Sequence, residues 1–231
     1  LVAREAEIYL DTGGYADNGP QVAVRAATRV LGPYRIPHIR SDAYAVYTNA
    51  GGAGSFRAIG APQTIFASES QLDTIASKLG IDPAELRFKN LLKRGEELRP
   101  KLRGMDADLA SALKKLLKAS QWKKRSKRKK SPMGLALGAT NAGATPISVA
   151  MIRLQPDGTV DVLAGSTEMG QGVRTVLSQI IGEELGLPIE SIRLTGAVTQ
   201  VTPYDSSTGS SRSTTGMGLA VQKAAQDLKR Q

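Results

Sequence analysis

At 231 residues with 41% hydrophobic content the chain can fill a real core, so a folded protein of one large or two smaller domains is expected. No Cys is present and His38 is the single His, which excludes disulfides, thiolate metal sites, iron–sulfur ligation and a Cys nucleophile, and leaves little scope for a His-based metal centre or triad. No apolar run reaches the length of a membrane span and no signal peptide opens the chain, so a cytoplasmic location is the default expectation. The chain starts at Leu1-Val2-Ala3 in strand-like residues without an initiator Met, which predicts a fragment or a processed piece.

The net charge of +10 has a local origin. Lys114, Lys115, Lys118, Lys123, Lys124, Arg125, Lys127, Arg128, Lys129 and Lys130 supply ten positive charges, and the remaining 21 Lys and Arg balance 21 Asp and Glu. The run from Lys123 to Lys130, with only Ser126 uncharged, reads as a solvated connector. Clustered cations can hold a polyanion, yet Trp122 is the sole aromatic beside them for base stacking, so nucleic acid is disfavoured.

In chain order, residues 4–11 alternate charged with small or apolar positions and predict a strand broken by Thr12-Gly13-Gly14. Val24, Ala27, Val30 and Leu31 at helical spacing predict a helix over 22–31, stopped by Gly32-Pro33. A strand is expected over 39–47, a flexible loop over 49–55, and a helix over 67–79 ended by Gly80. Asp82-Pro83-Ala84-Glu85 predicts a helix start, with Asp82 as cap, Pro83 in the first turn and Glu85 reaching back, running to about Lys93. A further helix is expected over 108–119.

Beyond the basic run the pattern turns to strands. Residues 148–154 and 159–164 flank Gln155-Pro156-Asp157-Gly158 and predict a hairpin. Val173, Val176, Leu177, Ile180, Ile181 and Leu185 mark one helix face ended by Gly186, residues 192–198 a strand, and about 217–229 a closing helix.

Two loops carry the chemistry. Gly165-Ser166-Thr167-Glu168-Met169-Gly170-Gln171-Gly172 joins a strand to a helix, and its glycines let backbone amides and a helix start approach an anion or a polar planar group. The same stretch also reads as a tight connection with no ligand. Ser206 to Gly216 offers hydroxyls and amides that could wrap a phosphate, or a Ser/Thr/Gly linker.

Four ordered motifs are more specific than either loop. Tyr47-Thr48-Asn49, Gly54-Ser55-Phe56-Arg57-Ala58-Ile59-Gly60-Ala61-Pro62-Gln63, the 165–172 turn, and Pro203-Tyr204-Asp205 through Ser211-Arg212-Ser213-Thr214 together resemble the molybdopterin-binding large subunit of the molybdenum hydroxylases. That family includes xanthine dehydrogenase, aldehyde oxidase and the carbon-monoxide dehydrogenase large chain. The resemblance spans nearly the whole chain except the basic run, taking in Tyr34-Arg35-Ile36-Pro37 and Leu86-Arg87-Phe88-Lys89-Asn90-Leu91-Leu92.

The resemblance implies a molybdopterin cofactor with molybdenum, its cytosine dinucleotide form being allowed. It assigns pterin and phosphate contacts to Met169, Gly170, Gln171 and Gly172 and to Thr208, Ser210, Ser211 and Ser213. It places Phe56, Arg57 and Ala58 beside the metal and its dithiolene, and Tyr47 and Ile59 toward the substrate. On the residues alone, Arg57 is a surface cation on a flexible loop. Ala58 stands where the best-known carbon-monoxide dehydrogenases carry a Cys, which disfavours copper-assisted CO oxidation. Ile59 and Tyr47 replace the aromatic and Arg of xanthine-oxidising members, which disfavours a purine and leaves other aldehydes and N-heterocycles.

The family's upstream metal-facing loops and its downstream general-base Glu fall outside the matched region. No catalytic residue and no protein metal ligand is therefore assigned, and the chain alone is expected to be inactive. It is expected to be an internal fragment or one part of a split subunit. Expected partners are the rest of the large subunit and iron–sulfur and FAD chains, in a dimer of heteromers without membrane attachment. The expected fold is α+β, with two unequal mixed helix and strand parts: 1–120, a basic linker over 121–131, and 132–231. The competing reading is a non-catalytic interaction module that binds phosphate and polyanions.

Overall fold

In the computed structural model, which describes residues 1–98, 104–125, 133–139, 147–206 and 208–231, the chain divides into two units, Leu1–Thr140 and Asn141–Gln231. Both mix helices and strands, as the α+β expectation had it.

The first unit opens with β1 (Ala3–Gly13), α1 (Gly19–Arg29) and β2 (His38–Tyr47). β1 and β2 pair in parallel with Ile8 opposite Ala43 and Tyr9 opposite Tyr44. Side chains alternate across a strand, so Arg4 and Thr12 are buried on one face, while Tyr9 and Tyr44 stack on the other at 5.0 Å. α1 starts at Gly19, because Pro20 suits a first turn. Its inward stripe is Val22, Ala23 and Ala26; Val24, expected on that face, is 63% exposed.

α2 (Ala61–Leu79) begins six residues before the expected Ala67. Its buried stripe of Ala61, Thr64, Ser68, Glu69, Leu72 and Ala76 is half polar, so hydropathy alone hides its first turns. α3 (Pro83–Asn90) is capped as expected: Asp82 accepts from the amides of Ala84 at 2.8 Å and Glu85 at 3.4 Å. Glu85, expected to reach back to the helix start, pairs instead with Lys89 at 2.8 Å. α3 ends at Asn90, short of Lys93, because the next residues are drawn into backbone pairing: Leu92 donates to Pro33 O and Arg35 to Asn90 O.

α4 (Leu109–Ala119) is capped by Asp108, which accepts from the Ser111 amide at 3.0 Å. α5 (Trp122–Arg125) lies where a linker was expected to start, yet Trp122 is buried, with its indole N–H on both carboxylate oxygens of Asp82. The rest of that expected linker, residues 126–131, lies outside the described residues.

Tyr34, Ile36, Leu72, Ala76, Leu86, Leu91 and Leu113 form the core of the first unit. Leu135 and Leu137 pack against it, and the Leu137 amide donates to Glu69 Oε2 at 2.8 Å. Residues 133–139, expected in the second part, therefore belong to the first, and the division falls at Thr140 and Asn141.

In the second unit β3 (Ala150–Leu154) and β4 (Val160–Ala164) form the expected hairpin, and β5 (Ile192–Thr195) lies parallel to β4 on its other side. The Gly158 amide donates to Gln155 O at 3.0 Å to close the turn. α6 (Val173–Leu185) and α7 (Ser213–Arg230) cover the sheet. Val160, Val162, Leu177, Ile181, Met217, Val221 and Ala225, all fully buried, make the core. α7 starts at Ser213, ahead of the expected Met217, because Ser, Thr and Gly in its first turn carry a loop composition. No helix among the described residues is long and apolar enough to cross a membrane.

Candidate functional site

The 54–60 loop of the first unit is held at both ends by α1. Asn18, just ahead of α1, donates from Nδ2 to Ser55 Oγ at 2.6 Å and accepts from the Ser55 amide at 2.9 Å. At the far end Gly60 has φ +70°, and a Cβ there would meet Val22 O at 2.5 Å, so only glycine lets the chain turn into α2 against α1. Between these anchors the tip is free of the core. Phe56 is 95% exposed, the Arg57 guanidinium lies 5.8 Å from the Phe56 ring centroid, and Ala58 has φ +57°. Ile59 is half-buried, and Tyr47 at the end of β2 is exposed.

In the second unit the two loops singled out in the sequence meet. Gly165 makes the approach possible: a Cβ would meet Pro203 O at 2.6 Å and Asp205 Cβ at 3.0 Å. Ser166 Oγ donates to Asp205 Oδ2 at 2.7 Å, and Thr208 Oγ1 donates to Thr167 O at 3.4 Å. Asp205 Oδ1 accepts from Ser148 Oγ at 2.7 Å and Arg212 at 2.9 Å, and Arg212 also donates to Ser206 O and Ile147 O. Burial pushes the Asp205 carboxyl up, but hydrogen bonds from Arg212, Ser148 and Ser166 outweigh it and hold it below the usual range. This buried pair staples the Ser-rich loop to the strand-to-helix turn.

Inside the 165–172 turn the amides of Met169, Gly170 and Gly172 are already engaged. Glu168 accepts from Gly170 and Gly172, both at 2.9 Å, and from Arg174 at 3.2 Å, so its carboxylate closes the start of α6. The Gly172 and Arg174 amides hold it below the usual carboxylate range. Gln171 folds back as well, accepting from the Met169 amide at 2.6 Å and donating to Thr167 O at 2.8 Å. The expectation that these amides stand open gives way to a self-bonded turn. Glu168, quoted in the motif without a role, carries it; a carboxylate just ahead of a helix was the available signal.

The Ser-rich loop contrasts with that turn. Among the described residues the hydroxyls of Ser210, Ser211 and Ser213 make no side-chain hydrogen bond. Ser210 and Ser211 have φ +52° and +55°, and among the described residues they account, with Ala58, for three of five such non-glycine residues: Asp17, Ala58, Gln121, Ser210 and Ser211. Left-handed backbone at non-glycine residues costs of order 1 kcal/mol each and clusters where ligands bind. Neutral hydroxyls and amides on a preformed loop suit a phosphate ester or a pterin edge, so this donor set fits such a group. Asp205 and Arg212 were in the motif too, but their pairing was missed; opposite charges flanking a neutral loop were the signal. No group of three or more metal-ligating side chains occurs among the described residues.

With this geometry in view, the chain belongs to the molybdopterin cofactor-binding domain family: one domain profile matches residues 110–231 and a second, of the same description, residues 1–91. It is 34% identical over 237 residues to a putative xanthine dehydrogenase molybdenum-binding subunit of Escherichia coli K12, covering 96% of this chain and 31% of that protein. It is 32% identical to an aldehyde oxidoreductase of Megalodesulfovibrio gigas, covering 99% of this chain and 26% of that one. The crystal structure of the aldehyde oxidoreductase from Desulfovibrio desulfuricans superposes with a TM-score of 0.83 at 29% identity, over 99% of this chain and 26% of that one. The chain thus spans about a third or less of the length of these relatives. The competing reading, a phosphate- and polyanion-binding module, draws no support from them.

Proposed function

We propose that this chain is the cofactor-holding portion of a molybdenum hydroxylase acting on an aldehyde or an N-heterocycle. The bound molybdenum cofactor would supply the two-electron oxidation that places a water-derived oxygen on the substrate carbon. In this reading Thr208, Ser210, Ser211 and Ser213 donate to the phosphate or nucleotide extension, and Met169, Gly170, Gln171 and Gly172 border the pterin. Phe56, Arg57 and Ala58 present the first unit's exposed tip to the metal side, with Tyr47 and Ile59 toward the substrate. The observation that carries the reading is the family match joined to the unbonded Ser hydroxyls on a strained, stapled loop.

The relatives' names speak of subunits, which supports a multi-subunit assembly; in this reading its other members are iron–sulfur and FAD chains, in a dimer of heteromers, with electrons leaving through them. Turnover belongs to that assembly, so the isolated chain with an aldehyde and an electron acceptor is expected to show none; measurable oxidation would overturn this.

Cofactor binding is tested in the assembled protein by Ser210→Ala with Ser211→Ala. These hydroxyls make no hydrogen bond among the described residues, so thermal stability should hold. Each lost hydrogen bond to the ligand costs about 1 kcal/mol, so pterin affinity should fall about tenfold or more. Gln171→Ala is the contrasting variant: because Gln171 ties its own turn at Met169 and Thr167, it should lower both local order and occupancy. Full pterin content in the double Ser variant would sink the assignment.

A further inference from the structure

We propose that a groove on the first unit, bounded by α3, α4 and α5, binds an amphiphilic carboxylate: an apolar tail with one anionic head. The groove has a volume of about 930 Å³, within the range of small-ligand sites. Its floor is made by the half-buried Phe88 and Leu117, apolar surface that a hydrocarbon tail would remove from water, beside the buried Trp122. The Trp122 indole N–H is already satisfied by Asp82, so that residue offers a tail no unmet donor.

The rim gives the head group its sign. Lys114, Lys118, Lys123 and Lys124 all line the groove and are exposed. The two acidic residues beside them are otherwise engaged. Asp82 caps α3 and holds Trp122, and Glu85 pairs with Lys89. Among the described residues none of the four lysines has a carboxylate partner. Lys114 instead sits over the Phe88 ring at 5.2 Å, a cation resting on the apolar wall itself. Unpaired cations around an apolar trough are complementary to an anionic head on an apolar tail, and oppose a cationic or purely polar ligand.

Trp122 is the single Trp of the chain, so its emission reports this groove alone. The test titrates the full chain with dodecanoate below its micelle concentration, with dodecan-1-ol and acetate alongside, and follows Trp122 emission and heat of binding. Dodecanoate is expected to give a saturable change, acetate none, and dodecan-1-ol binding weaker by about tenfold or more. Lys118→Glu with Lys124→Glu should weaken dodecanoate by a similar factor with an unchanged circular-dichroism spectrum. No saturable dodecanoate signal, equal binding of the alcohol, or a folded double variant that binds like the parent would overturn the proposal. Should that variant not fold, the comparison of acid with alcohol on the parent chain decides.

Discussion

Glu69→Ala is expected to destabilise the first unit by about 3–5 kcal/mol, the usual cost of removing one member of a buried ion pair. Arg87 is fully buried, and Glu69 Oε2 accepts from its Nε at 2.8 Å. The same carboxylate accepts from Tyr34 Oη at 2.7 Å on Oε1 and from the Leu137 amide on Oε2. Removing it strands a guanidinium whose remaining carboxylate, Asp73 at 2.8 Å, is half exposed, and leaves a buried hydroxyl and amide without an acceptor. Burial pushes the Tyr34 hydroxyl far up, so it stays protonated and cannot help to neutralise Arg87. Denaturant unfolding followed by Trp122 emission measures the loss. Glu69→Gln, which keeps an acceptor but loses the charge, should fall between; a loss under about 1 kcal/mol for Ala would show that the network is not coupled to the core.

Asp205→Asn is expected to cost the second unit about 3 kcal/mol or more, because it leaves the Arg212 guanidinium buried without its counter-charge. The side chains of Asp205 and Arg212 are 1% and 2% exposed, so solvent screens neither. Amide hydrogen exchange along α7 and in the 165–172 turn reads the effect, since the pair ties Ser148, Ser166 and the Ser-rich loop together. The acid sensitivity has a definite sign. The native carboxyl lies below its unfolded value of about 3.9, so its stabilisation is fully present above about pH 4 and is lost as pH falls through the lower native value. The Asn variant should lose that acid-dependent component, and Asp205→Asn with Arg212→Met should recover part of the neutral-pH loss. An Asn variant with parental exchange rates at pH 7 would contradict the role.

Helix ends marked by residues with one job were legible in the sequence. Asp82, Pro83, Gly80 and Gly186 fell where a cap or a left-handed stop is needed, and the hairpin around Gln155 to Gly158 followed from turn chemistry. Starts hidden by composition were not. α2 buries Thr64 and Ser68, whose hydroxyls donate to carbonyls of the preceding turn, and Glu69, which is held by long-range hydrogen bonds, while α7 opens with Ser213, Thr214 and Thr215, so hydropathy placed both starts too late. The unit boundary was misplaced for a related reason. Charge density marked Lys123 to Lys130 as a connector, but Leu135 and Leu137 return to the first core through a contact with Glu69, sixty-odd residues earlier, that no local window can see. In the candidate site, the glycines and hydroxyls could be read as donors, and the resemblance assigned both loops to contacts with one pterin and its phosphate. Which amides were already occupied could not be, because a Glu168 side chain folded onto its own helix start is settled by rotamer and packing.

The most direct measurement of the central claim is the molybdenum and pterin content of the complete protein that carries this chain, by elemental analysis and by fluorescence of released, oxidised pterin. The expected result is equimolar molybdenum and pterin per chain, both reduced together by Ser210→Ala with Ser211→Ala at unchanged thermal stability. A protein free of molybdenum and pterin after expression in a host that makes the cofactor, or full content in that variant, would contradict it.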